Sequence, residues 1–175
     1  MKQLQKKLEE IFQDFHRHPE VSGKEVRTTE KIKEYLTEWN ISLIDFPLPT
    51  GALAQIGTGN KPVAALRCDL DASTFSAPPP LVNNADLAIF ATETARSLGI
   101  RVIQQEPSMI GEDFAEYLQE KPGCFVRVGT GIGPGLHHSK FRADSSALSG
   151  TAKFLAELVI RRLEKMSGSQ NGKES

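Results

Sequence analysis

Missing from these 175 residues are a Cys-x-x-Cys pair, a long apolar run and an excess of charge of either sign. The two cysteines, Cys68 and Cys124, stand far apart in segments that read as strands. Buried free thiols in a reducing cytoplasm are the reading they favour over a disulfide. No hydrophobic stretch approaches the roughly 20 residues needed to span a bilayer. The opening Met1–Glu10 is charged and amphipathic, unlike a signal peptide, so a cytoplasmic location is expected. A formal net charge of −1 supplies no basic footprint for nucleic acid or an anionic membrane surface.

What is present suits a globular chain: 39% hydrophobic and 25% charged residues, long enough to close one core. Leu4, Leu8, Ile11, Phe12 and Phe15 recur at helical spacing, up to a break at Pro19. Ser22 with Glu25 three residues on has the form of a capping box. The helix after it would turn Val26, Ile32, Tyr35, Leu36 and Trp39 inward and stop near Asn40. Residues 41–46, 52–56, 100–103 and 124–128 read as strands. Asn83 or Asn84 can cap a third helix with Leu87, Phe90, Ala91, Thr94, Ala95 and Leu98 inside, closed by Gly99. A short helix is predicted over 112–119, and Asp144 can cap a last one presenting Leu148, Thr151, Phe154, Leu155 and Leu158. This order predicts an α/β fold, a mixed sheet sandwiched between helices in three αβα layers. A single domain over 1–165 is expected, followed by a polar, disordered tail at 166–175.

The stretch Pro62–Ala72 is the one most suited to chemistry. Its apolar run suits a strand buried on both faces, ending in Asp69 and Asp71, two residues apart and so on one side of the strand. In an open α/β sheet that end is where ligands sit. Other candidates are weaker on spacing alone. His16 and His18 suit polar caps of a helix end. His137 and His138 follow the glycine-rich loop 129–135, which lacks the residues of a phosphate-binding loop. Glu112 and Asp113 also suit a helix N-terminus. A Cys68–His137 thiol pair is chemically conceivable, with nothing in the spacing to bring the two together.

Several segments together resemble one family. His16-Arg17-His18-Pro19-Glu20 with Ser22 and Glu25, and Ala65–Ala72, look like the N-terminal half of the metal-dependent amidohydrolases that include aminoacylase, hippurate hydrolase and indole-acetyl-amino-acid hydrolases. Pro80–Asn84, Ile110–Phe114, Pro122–Phe125 and Leu136-His137 resemble the C-terminal half, in the same order. The resemblance implies two Zn²⁺ or Mn²⁺ ions that polarise an amide carbonyl and activate a water, with a glutamate as general base and a small N-acyl amino acid as substrate. It makes His137 the counterpart of the last metal ligand, and Asp71, with Asp69, a carboxylate supporting a ligand from behind. Glu112 and His138 would lie at the cleft.

The departures from the family are as informative. Between the strand-end aspartates and Asn83, the family carries a Cys/His metal motif, a Glu-Glu pair, another ligand His and a whole lid domain. Here only Ser73–Pro80 fills that interval, without one His, Cys, Asp or Glu. The seam, at about 73–82, would leave no intact catalytic set, and a zinc site generally needs three protein ligands. Loss of the general base removes a typical 10²–10⁴-fold in rate. The expectation is a truncated, aminoacylase-like core with weakly bound or absent metal and little turnover. It would be a monomer, or self-associate in a way foreign to the family. Two alternatives remain: an active hydrolase that completes its site through oligomerisation or a partner, and a non-catalytic binding or structural module.

Overall fold

The computed structural model describes residues 2–21, 23–58, 62–68, 79–106, 112–131, 133 and 144–171. Among them the chain is α/β, with helices α1 (Lys2–Arg17) and α2 (Val26–Glu38), strands β1 (Ser42–Ile44) and β2 (Leu53–Gln55), and helices α3 (Ala85–Ser97), α4 (Phe114–Glu120) and α5 (Ala147–Asn171). β1 and β2 pair antiparallel, with Leu43 opposite Ala54.

Local chemistry sets the helix ends. Asn40 adopts the left-handed conformation (φ 55°), Asn40 N–H donates to Thr37 O at 3.0 Å, and Ile41 N–H reaches Leu36 O at 2.8 Å. Gly99 (φ 74°) ends α3 the same way, with Ile100 N–H donating to Ala95 O at 3.0 Å. Both are Schellman closures, which absorb carbonyls the helix leaves unpaired. At the start of α3 the Asn84 Oδ1 accepts Leu87 N–H at 3.1 Å, so Asn84 is the cap. α5 continues to Asn171 and takes in 166–171, where composition predicts a loose tail.

The core lies where α3 crosses α5. Ala91, Ala95 and Phe154 are buried there, and Leu98, Cys124, Val126, Leu155 and Leu158 pack around them. These are the faces that helical periodicity selects for α3 and α5. The small alanines let the helices approach closely enough for the Phe154 ring to fill the gap. Gln5 of α1 also grips the start of α5: its amide donates to Ser145 O at 2.6 Å and its carbonyl accepts Ser149 N–H at 3.2 Å.

Three expectations are corrected. The three-layer sandwich is not formed by the described residues, whose sheet has two strands. Residues 62–68, 100–103 and 124–128, predicted as strands, pair with nothing as strands. A strand buried on both faces needs neighbours at its edges and helices above and below; instead Val63 is 63% and Leu66 56% exposed. On α2, Val26 and Trp39 face solvent while Thr28 and Thr29 are buried, because polar bonds decide that side of the helix.

Candidate functional site

Asp69, Asp71, His137 and His138 lie outside the described residues, as does Ser22. The segments leading to them are described, and they converge. Arg67, two residues before Asp69, places Nη2 3.3 Å from Asp113 Oδ2 and its guanidinium 5.1 Å from the centre of the Tyr117 ring. The approach to the strand-end acids is thus tied to the start of α4. Both groups are partly exposed, so the ion pair positions more than it stabilises. Glu112, beside that pair, accepts Phe114 N–H at 3.2 Å through Oε1. The carboxylate caps α4, as expected for an acid at a helix start.

A second junction lies just past the seam. The Asn83 amide donates to Phe125 O at 2.9 Å, and its carbonyl oxygen accepts Phe125 N–H at 2.8 Å. One side chain thereby mimics the ladder partner that residues 124–128 otherwise lack. Asn84 N–H adds a bond to Gly123 O at 3.0 Å, and the Phe114 ring packs against Phe125 at 5.8 Å. Beside this clasp is an open concavity of about 400 Å³, lined by Val82–Asn84 and Leu118–Gly123. Its walls offer amides and backbone and no cluster of groups that could move a proton or attack a carbonyl.

The loop carrying His137 and His138 is pinned at its base. Asp144 N–H donates to Thr130 O at 2.6 Å, and Asp144 Oδ1 accepts Ser146 N–H at 2.9 Å, which holds its carboxyl below the usual aspartate value. Gly131 there has φ 105°, and a Cβ on it would stand 3.2 Å from Asp144 Cβ. A residue with a side chain would be strained in conformation and crowded.

The histidine-rich motif serves structure. α1 closes with His18 Nδ1 donating to Asp14 O at 2.8 Å, the helix-end role its position predicts. Glu20 then accepts Thr28 N–H at 2.7 Å and Arg27 N–H at 3.0 Å, and the Thr28 bond chiefly holds its carboxyl below the ordinary glutamate value. The N-terminal amides of α2 are therefore capped from six residues upstream. Glu25 is not the inner member of a capping box, because Gly23 (φ 76°) delays the helix to Val26. Glu25 is buried instead, accepting Gly23 N–H at 2.8 Å and the Thr50 hydroxyl at 2.9 Å. Gly51 N–H donates to Thr29 Oγ1 at 2.7 Å, so this polar core ties α2 to the turn before β2. Asp14 meets Arg27 Nη2 at 2.8 and 3.0 Å. Sequence reading missed these roles; the one available signal was an acid just after Pro19, ahead of a helix start.

Of the cysteines, Cys68 is exposed, contrary to expectation. Cys124 is half-buried, and that burial pushes its thiol up, away from the reactive thiolate. Among the described residues no three His, Cys, Asp or Glu side chains converge closely enough to hold a metal ion. The described donors therefore do not fit a two-metal centre.

Comparison with known proteins identifies the class. Residues 5–161 match the model of peptidase family M20/M25/M40, and the chain belongs to that family. It is 35% identical over 101 residues to an N-acetyl-L-cysteine deacetylase of Bacillus subtilis, which covers 58% of this chain and 24% of the relative. It is 44% identical over 86 residues to an N-acetylcysteine deacetylase of the same organism, covering 49% of this chain and 23% of the relative. A probable hydrolase of Synechocystis is 48% identical over 48 residues, 25% of this chain and 12% of the relative. The chain thus spans about a quarter or less of the length of these relatives. No solved structure is significantly similar to it. No helix among the described residues is long and apolar enough to cross a membrane.

Proposed function

We propose that this chain is a shortened catalytic-domain core of a metal-dependent amidohydrolase, which hydrolyses small N-acyl amino acids slowly or not at all. One observation carries the reading: Ser73–Pro80, devoid of His, Cys, Asp and Glu, is the whole interval between the strand-end acids and the Asn83-Asn84 motif. The Arg67–Asp113 pair and the Asn83–Phe125 clasp support it, since they draw the motifs on both sides of that interval together. On this reading residues 1–165 form one unit with a seam at 73–82, where a lid domain is missing. His137 is a remnant ligand for one of two Zn²⁺ or Mn²⁺ ions, with Asp71 and Asp69 behind it. Glu112 and His138 border the cleft. The near-neutral charge and free thiols suit a cytoplasmic protein.

The relatives named as deacetylases suggest the substrate to use. Purified chain is incubated with Zn²⁺ or Mn²⁺ and N-acetylcysteine, free amino acid is followed, and bound metal is measured after dialysis. Substoichiometric metal and hydrolysis no faster than buffer are expected. Two metal ions per chain with metal-dependent turnover would overturn the reading. N-acetylcysteine that raises the melting temperature without being cleaved would instead favour a binding module.

A further inference from the structure

Apart from any hydrolytic chemistry, the chain carries far more open apolar surface than a finished monomer should. Its accessible surface is 13648 Å² at 19.2 kDa, against about 8,400 Å² for a folded monomer of that mass. Much of the described excess is concentrated on one unit. Within fifteen residues, Leu43, Ile44, Phe46, Leu48, Leu53 and Ile56 are each 40–85% exposed. Leu43 and Ile44 are adjacent on β1 and so point to opposite faces, yet both are 40% exposed. The small sheet is therefore open above and below. A lone two-stranded sheet in that condition is marginal in water.

The edges are as open as the faces. β1 (Ser-Leu-Ile) and β2 (Leu-Ala-Gln) hold no charge, no proline and no glycine, the devices that keep an edge strand from pairing with another chain. β1 is exposed at every position and pairs, among the described residues, with β2 alone.

We propose that a second copy of this chain covers this unit, as a two-fold dimer in which β1 pairs antiparallel with the partner's β1. The result is one four-stranded sheet in the order β2-β1-β1-β2. Three observations favour a second copy over other occupants. Taking about 200 Å² for a whole large apolar residue, the six residues expose on the order of 600 Å². That approaches the roughly 800 Å² that each partner contributes to a standard interface. A net charge of −1 leaves copies with almost no mutual repulsion to overcome. An antiparallel strand is also complementary to itself across a two-fold axis, and centring on Leu43 lets all three residues of β1 overlap.

The test is solution mass by light scattering across a dilution series of the full chain. A mass near twice 19.2 kDa is expected at roughly 10 μM and above, a range in which interfaces of this size are populated. Leu43→Lys should reduce it to one chain, while Ile160→Lys, an exposed position on α5, should leave the dimer intact. Leu43→Cys in a Cys68→Ser background settles the case should Leu43→Lys fail to fold. Residues paired across two antiparallel strands have Cα atoms about 4.5–5.5 Å apart, within disulfide reach, so a cross-linked dimer should form on mild oxidation. A wild-type chain that stays monomeric and binds an apolar dye would overturn the proposal and leave the face to a different partner. A dimer that survives Leu43→Lys, or no Leu43→Cys cross-link, would overturn the β1 interface.

Discussion

Replacing Asn83 by alanine tests whether the two halves of the family pattern are joined physically or merely adjacent in sequence. The Asn83 side chain makes two hydrogen bonds to one residue, Phe125, through its amide and its carbonyl. Both residues are partly buried, so water replaces the lost partners only incompletely. At about 1 kcal/mol net for each bond, the loss is about 2 kcal/mol, and it approaches 4 if the Phe125 N–H and C=O stay dry. For a chain of this length, each kcal/mol lowers the melting temperature by about 2–4 °C. Asn83→Ala should therefore melt about 4–8 °C lower, and its urea midpoint should fall with the slope unchanged. Asn83→Asp should do no better: it keeps an acceptor for Phe125 N–H and turns a second oxygen toward Phe125 O. A loss below about 0.5 kcal/mol for Asn83→Ala would refute the reasoning, because no surviving bond could then depend on that side chain.

Three further perturbations follow from the geometry. Phe154→Ala empties the centre of the α3–α5 core and should cost about 3–5 kcal/mol, enough to unfold much of the chain at room temperature; circular dichroism at 222 nm checks it. Glu20 is held below its ordinary value of 4.5 by the Thr28 and Arg27 amides. A lowered folded value contributes stability above the ordinary value that is lost as pH falls through the folded one. Hydrogen exchange at Arg27 and Thr28 should therefore quicken beyond the intrinsic pH trend on acidification below 4.5, and Glu20→Gln should blunt that extra response; an extra response that persists in Glu20→Gln would contradict the cap. Gly131→Ala forces a side chain into φ 105° against Asp144 and should cost about 1–3 kcal/mol, while Gly133→Ala, with open space around it, should cost little. Equal melting temperatures for the two glycine variants would refute the pinned loop base.

Much of the helical framework was legible because its causes are local. The α3 face of Ala91, Thr94 and Ala95, the α5 face around Phe154, the Asn84 cap and the stops at Asn40 and Gly99 depend on residues within a turn or two. Glu25 misled because a capping box needs the helix to begin at once, and Gly23 postpones it. Cys68 and residues 62–68 were read as core because an apolar run records what a strand would bury, not whether neighbours arrive to bury it.

By itself, then, the sequence determined the family, the order of helices and turns, and the absence of His, Cys, Asp and Glu from the interval at 73–80. Tertiary structure alone decided that Asn83 clasps Phe125, that Glu20 caps α2, that Arg67 meets Asp113, and that the sheet has two strands with both faces open. The division has a physical cause. Helices close their hydrogen bonds within four residues, so local sequence specifies them. Strands and long-range side-chain clasps close theirs only with partners brought together by the whole fold.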